Sequence, residues 1–251
     1  MAKNREKRRI NSQRILDDNK VVPFKKKKFE VERKPPPIIA LNPTQARYLA
    51  CLRAHPQVLA LGPAGTGKTW IAATYAADLY RSRAISRIIL TRPNVPCGRS
   101  LGFFPGSLEN KFAPWAVPVT DAIRDRLGPA VYDVAIKNGD IEVVPFEVMR
   151  GRSWSNAFVL LDEAQNTTPM QMKMFLTRIG EGSKMVVTGD PTQVDLPTGK
   201  DSGLLEAISI LEGIDDIAQI AFTGRDVVRR ELVGKIVDAY EAAPRRGERH
   251  G

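Results

Sequence analysis

The chain has 251 residues, 43% of them hydrophobic, with 38 Lys and Arg against 28 Asp and Glu for a net charge of +10. That length allows one large domain or two small ones, and the apolar content is enough for a sizeable core. No apolar run approaches a membrane span, the basic N-terminus has no apolar segment after it, and Cys51, Cys97, His55 and His250 suggest neither an oxidising compartment nor a closed zinc site, so a cytoplasmic protein without a membrane partner is expected.

The charge is uneven. Residues 1–34 carry 13 Lys/Arg against 5 Asp/Glu, and the last eight residues carry three arginines against one glutamate, leaving 22 of each sign between them. The first segment has only scattered apolar residues and cannot bury enough surface to offset its ordering entropy. A basic disordered arm is expected over 1–37, and its lysine block at 25–28 reads either as a phosphate contact or as a solubilising run. Pro35-Pro36-Pro37 makes a stiff joint. The folded domain is expected over 38–243, with 244–251 as a second basic tail.

The folded part opens with a turn at Asn42-Pro43 into a helix marked by Leu49 and Leu52. Residues 58–61 read as an apolar strand that runs into Gly62-Pro63-Ala64-Gly65-Thr66-Gly67-Lys68-Thr69, and an alanine-rich amphipathic helix follows through Trp70. This is the strand–loop–helix of a P-loop, with the full G-x-x-x-x-G-K-T spacing. Its glycines let consecutive N–H groups point inward at an anion. Those groups and the helix N-terminus suit a β-phosphate, Lys68 suits the β and γ oxygens, and Thr69 suits Mg²⁺. Residues 62–70 are the expected nucleoside-triphosphate cradle.

A β-branched strand at 85–91 ends in Thr91-Arg92-Pro93, where proline stops it. Residues 96–119 are rich in Gly and Pro and read as irregular. They carry Phe103, Phe104, Phe112 and Trp115, which suit either base stacking or cover for a sheet edge. A helix over 119–127 and a short strand over 141–144 come next. An apolar strand at 157–161 then delivers Asp162-Glu163. Beside a P-loop, Asp162 suits Mg²⁺ through water and Glu163 suits the group that polarises an attacking water.

Thr168, Pro169 and Gln171 have the composition of an N-cap, a first helical residue and a capping-box partner for a helix reaching about 179. A strand at 184–188 leads into Gly189-Asp190-Pro191-Thr192-Gln193. If it neighbours the 157–161 strand, Gln193 comes near a γ-phosphate, although an ordinary turn accounts for Gly-Asp-Pro. A helix over 204–211, a strand over 217–222 and a final helix over 227–241 complete the alternation. The pattern predicts an α/β fold, a mostly parallel sheet with helices on both faces and a single P-loop.

LTRP at 90–93, LGFFPGSLENK at 101–111, VLLDEAQNTTPMQMKMFLTRIGEGSKMVVTGDPTQVDLP at 159–197 and RDVVRRELVGKIVDAYE at 225–241 together resemble the PhoH-like ATPases, over about residues 42–240. The Asp-Glu-Ala-Gln run combined with Thr-Gly-Asp-x-x-Gln is highly specific. The resemblance implies a RecA-like P-loop NTPase similar to the core of superfamily-one helicases, with ATP and Mg²⁺ as cofactors, in the cytoplasm. Some members carry an appended PIN-type ribonuclease domain. This chain has no room for one, so no fused nuclease is expected.

Roles carried over by the resemblance are specific to positions. Gln45 matches the helicase-type glutamine that reads adenine, the alternative being a solvated helix residue. Arg92 matches a position facing nucleic acid or the triphosphate, and Gln193 the γ-phosphate glutamine. Arg225 and Arg229 fall in an arginine-supplying region that could provide a finger, the alternative being pairs with Asp226 or Glu231. Arg99, Arg150 and Arg152 lie in loops as further candidates for nucleic-acid contact. A monomeric helicase holds ATP between two such folds and this chain has one, so a homo-oligomer is expected, a hexameric ring by analogy, with the finger acting in trans. The leading expectation is an ATPase coupled to single-stranded RNA or DNA, helicase-like. The alternatives are a slow ATP-gated assembly protein and, more weakly, a nuclease.

Overall fold

The computed structural model describes residues 35–93 and 108–228, with the backbone alone for 108–114. In chain order the elements are α1 (Pro43–Ala54), β1 (Gln57–Leu61), α2 (Lys68–Arg81), β2 (Arg87–Thr91), α3 (Leu108–Leu127), α4 (Pro129–Asn138), β3 (Ile141–Val143), β4 (Ala157–Leu161), α5 (Pro169–Leu176), β5 (Lys184–Gly189), α6 (Gly203–Ile210) and β6 (Ile217–Ala221). Short 3₁₀ turns lie at Phe146–Met149, Ala164–Asn166 and Gly224–Asp226. The strands form one parallel sheet in the order β3-β2-β4-β5-β1-β6.

Helices cover both faces, as a parallel sheet requires. Because strand side chains alternate, each central strand feeds two cores. Val58, Ala60, Leu90, Phe158, Leu160 and Val186 pack with residues of α1, α2, α3 and α4 on one face. Leu59, Leu61, Ile89, Val159, Leu161, Met185 and Val187 pack with α5 and α6 on the other. The register sets Leu61 beside Gly189, Leu161 beside Val187 and Thr91 beside Leu161, so four strands end along one edge of the sheet. That edge is where the loops carrying polar residues emerge.

Several elements differ from the sequence-based expectation. Residues 108–119 are helical, not irregular: α3 runs through Pro114 and Pro118. Each proline removes one N–H from the ladder, but Val119, Ala122, Ile123 and Leu127 bury an apolar stripe in the first core, and Arg126 clamps Asp78 of α2 with hydrogen bonds of 2.7 and 2.6 Å. Burial outweighs the lost backbone bonds. Helix α4 has no counterpart in the expected elements, although Gly128, Pro129 at the first helical position and Gly139 in the left-handed region at its C-terminus were all legible signals. Residues 224–226 form a 3₁₀ turn and Val227 is extended, so no helix begins at 227. The rest of that expected helix lies outside the described residues.

The Asn42 side chain caps α1 by accepting from Gln45 N at 2.8 Å, and its Nδ2 donates to Asp226 O at 3.1 Å. Asn42→Ala is expected to lower the unfolding free energy by about 1 kcal/mol, read as a lower urea midpoint at unchanged slope.

Candidate functional site

The chain leaves β1 at Leu61 into a loop whose turns need glycine. Gly62, Gly65 and Gly67 have φ of 129°, 79° and 85°, a region that side chains rarely adopt. The loop ends at Lys68, the first residue of α2. Lys68 Nζ donates to Gly62 O at 2.6 Å, Pro63 O at 2.8 Å and Thr66 Oγ1 at 3.2 Å. Burial pulls its pKa down from the ordinary lysine value, and the charges of Asp162, Asp190 and Glu163 oppose that shift. The amine therefore sits coiled against its own loop, facing three carboxylates.

Those carboxylates come from the next two strands along the edge. Asp162 follows β4, and its Oδ1 accepts from Thr69 Oγ1 at 2.9 Å and Thr188 Oγ1 at 2.5 Å. Glu163 has φ of 53°, a left-handed backbone at a residue other than glycine, Asn or Asp; such strain clusters where a side chain must be aimed. Its Oε2 accepts from Gln165 Nε2 at 2.6 Å. After β5, Asp190 accepts from Thr192 N, Thr192 Oγ1 and Gln193 Nε2 at 3.0, 2.7 and 2.8 Å. Strand β5 lies between β1 and β4, which is why this turn falls between the glycine loop and Asp162.

Together they line a cleft of about 320 Å³. Gly62, Ala64, Gly65, Gly67, Lys68, Thr69, Trp70, Asp162, Glu163 and Gln193 all border it, joined by Pro118, Val119, Gly189 and Asp190. Trp70 is 54% exposed at its margin. Sequence reasoning assigned no role to Asp190 or Gln165, although both lie within the stretches that carried the resemblance.

The other candidates are placed elsewhere. Gln45 is neither solvated nor on the cleft wall. It is buried, its Nε2 donates to Thr66 O at 3.0 Å, and its Oε1 accepts from Leu41 N at 2.8 Å, so it braces the loop from behind. Pro63 and Thr66 serve through their bonds to Lys68. Arg92 is half-buried after β2, and Arg150 is exposed. Arg152 pairs with Glu142 at 2.7 Å and lies over the Trp154 ring at 5.8 Å, which neutralises much of its pull on a phosphate. Arg225 is exposed. Its neighbour Asp226 is taken up by Thr223 N and Oγ1, at 2.7 and 3.0 Å. Trp115 is half-buried against the first core, as cover for the sheet. Arg99, Arg229, Phe103, Phe104 and the Phe112 side chain lie outside the described residues.

The donor set fits a nucleotide phosphate with a hard cation. Gly62, Gly65 and Gly67 turn the loop through left-handed angles, the helix N-terminus and Lys68 supply positive charge, and the Thr69 hydroxyl converges with the Asp162 carboxylate. Among the described residues, no three His, Cys, Asp or Glu side chains are grouped to hold a metal by themselves. A Mg²⁺ ion here would depend on the phosphates and water for its remaining ligands, which is its usual habit. No helix among the described residues is long and apolar enough to cross a membrane.

The sequence profile described as PhoH-like protein matches residues 37–241. A PhoH-like protein of Mycobacterium tuberculosis is 52% identical over 196 residues, covering 78% of this chain and 56% of that one. A PhoH-like protein of Bacillus subtilis is 50% identical over 197 residues, covering 78% and 62%. The chain thus spans little more than half the length of these relatives. Among solved structures, a crystal structure of the Pif1 helicase from Candida albicans superposes with a TM-score of 0.42 at 15% identity, over 81% of this chain and 44% of that one.

Proposed function

The chain belongs to the PhoH-like protein family, and from that premise we propose that it is a Mg²⁺-dependent ATP hydrolase whose cycle is coupled to single-stranded RNA or DNA. The observation that carries the reading is the 2.9 Å bond between Thr69 and Asp162 beside the buried Lys68 amine. It unites the two halves of a nucleoside-triphosphatase site, 93 residues apart in sequence.

In this reading the glycine turn and the α2 N-terminus receive the phosphates, and Lys68 leaves its loop carbonyls for the β and γ oxygens. Mg²⁺, when bound, would neutralise charge on those phosphates. Thr69 would hold it directly and Asp162 through water. Glu163 polarises the attacking water, and Gln193 exchanges its bond to Asp190 for one that reports the γ-phosphate. Trp70, half-exposed at the margin, is available to the base.

The domain occupies 38–243, with 1–37 and 244–251 as basic arms that draw in the polymer. The finger is Arg225 or Arg229 from a neighbouring copy, in a ring of six, and the protein works in the cytoplasm. The near-balance of charge over residues 35–243 favours a second reading, an ATP-gated assembly protein that needs no polymer.

Steady-state ATPase rates with and without single-stranded RNA and DNA, on the full chain and on one starting at Pro35, separate the two. Stimulation by one polymer is expected, and its loss on truncation would place the contact in the arm. A rate unmoved by either polymer overturns the coupling and leaves the assembly reading. Polymer cleavage that survives Lys68→Ala would overturn both in favour of a nuclease.

A further inference from the structure

We propose that Gln165 is the positioning residue for Glu163, through a side-chain amide that ties the Glu163 carboxylate to the turn carrying Gln193. This rests on the hydrolase reading above. Gln165 lies in the 3₁₀ turn after β4 and is 1% exposed. Its Nε2 donates to Glu163 Oε2 at 2.6 Å, and its Oε1 accepts from Asp190 N at 3.1 Å. Its own backbone carbonyl accepts from Ser202 Oγ at 2.7 Å, which anchors the turn to the start of α6. Asp190 in turn holds Gln193 by the 2.8 Å side-chain bond and a 3.0 Å backbone bond. A continuous chain of hydrogen bonds therefore runs from Glu163 through Gln165 and Asp190 to Gln193.

The bland account is that Gln165 only satisfies a buried amide. That account covers the bond from Asp190 N, since a buried N–H without an acceptor is costly. It does not cover the bond to Glu163. The Glu163 side chain is half-buried on the cleft wall, where water can solvate it, so the carboxylate needs no protein donor for its own sake. What the bond does is select one rotamer of a side chain with three rotatable torsions. The site is also shaped for this amide: a Cβ on Gly189 would stand 2.8 Å from Gln165 Oε1. Gly189 gives way to Gln165 at the end of β5. Movement of Gln193 toward a γ-phosphate would be felt at Glu163 through a single buried side chain.

Two variants test this on the full chain, with kcat, affinity for a fluorescent ATP analogue and the thermal midpoint as readouts. Gln165→Glu is isosteric. It keeps an acceptor for Asp190 N but replaces the amide donor by a carboxylate, which cannot donate to Glu163 and repels it. Its kcat is expected to fall about 10-fold or more, with analogue affinity within about threefold of wild type. Gln165→Leu removes both bonds, and kcat is expected to fall about 10- to 100-fold, with analogue affinity within about threefold of wild type.

A Gln165→Glu protein that keeps kcat within about threefold of wild type overturns the proposal. So does a Gln165→Leu protein that folds and keeps kcat within about threefold, or one whose loss is matched by lost affinity. If Gln165→Leu does not fold, the kcat and analogue affinity of Gln165→Glu decide alone. A wild-type protein that binds the analogue and never turns over overturns the hydrolase reading along with this one. Robust wild-type turnover with an undiminished kcat in Gln165→Glu overturns this one only.

Discussion

Replacing Lys68 by alanine is expected to reduce ATP turnover by about a thousandfold, to the level of buffer, without unfolding the protein. The amine is the cation that the cleft encloses: three loop acceptors hold it within 3.2 Å, and three carboxylates favour its charge against burial. No other side chain of the loop can deliver positive charge to a γ-phosphate. The fold does not depend on it in the same way. Burial disfavours the charged amine, so removing it relieves a desolvation cost while it deletes the three bonds, and the thermal midpoint should move little.

Glu163→Gln makes the instructive comparison. It keeps the shape of the side chain and leaves the phosphate cradle intact, so nucleotide binding should persist while turnover falls. A pair of measurements, turnover and analogue affinity, therefore separates the cation from the base. Wild-type turnover by Lys68→Ala would mean that hydrolysis, if observed, occurs elsewhere on the chain.

Most of the sheet and most of the cleft could be read from the sequence because their signals are local. The strand at 157–161 is apolar at every position since both its faces are covered, and the Asp162-Glu163 pair marks where it emerges. The glycine spacing of 62–67 reports backbone angles directly, as the three positive φ values bear out. Thr168, Pro169 and Gln171 occupy the N-cap, first and third positions of α5 as expected, with Gln171 Oε1 accepting from Thr168 N at 2.8 Å.

What the sequence hid was non-local. Pro114 and Pro118 argue against a helix until α2 supplies an apolar face for α3 to cover. Gln45 reads as an adenine contact or a solvated helix residue until the loop at Thr66 is folded over it, 21 residues away in sequence. Gln165 sits two residues from Glu163, but its significance depends on Asp190, 25 residues further on, and hence on β5 lying beside β4. Strand order is the piece of information that local patterning lacks.

Gly62→Ala is the substitution expected to damage the fold and the site together. Gly62 has φ of 129°, and a Cβ there would stand 2.2 Å from Phe222 O and 2.8 Å from Phe222 C. Neither side can yield easily. Phe222 N donates to Leu61 O at 2.7 Å, Gly62 N donates to Gly189 O at 3.0 Å, and Gly62 O accepts from Lys68 Nζ. The Phe222 ring is buried edge-on against Tyr48, with ring centres 5.7 Å apart. Relief must come from parting β1 and β6 or from flattening the phosphate loop. The loss should be about 2–5 kcal/mol in a urea titration, with affinity for a fluorescent ATP analogue down at least about tenfold.

Gly139→Ala is the control. Its φ of 73° is also left-handed, but a Cβ there meets nothing within 4 Å. It should cost only the backbone preference, about 1 kcal/mol, and leave nucleotide affinity unchanged. Equal losses in the two variants would show that backbone angle alone governs Gly62. The clash with Phe222, and with it the dependence of the phosphate loop on the β1–β6 seam, would then have to be abandoned.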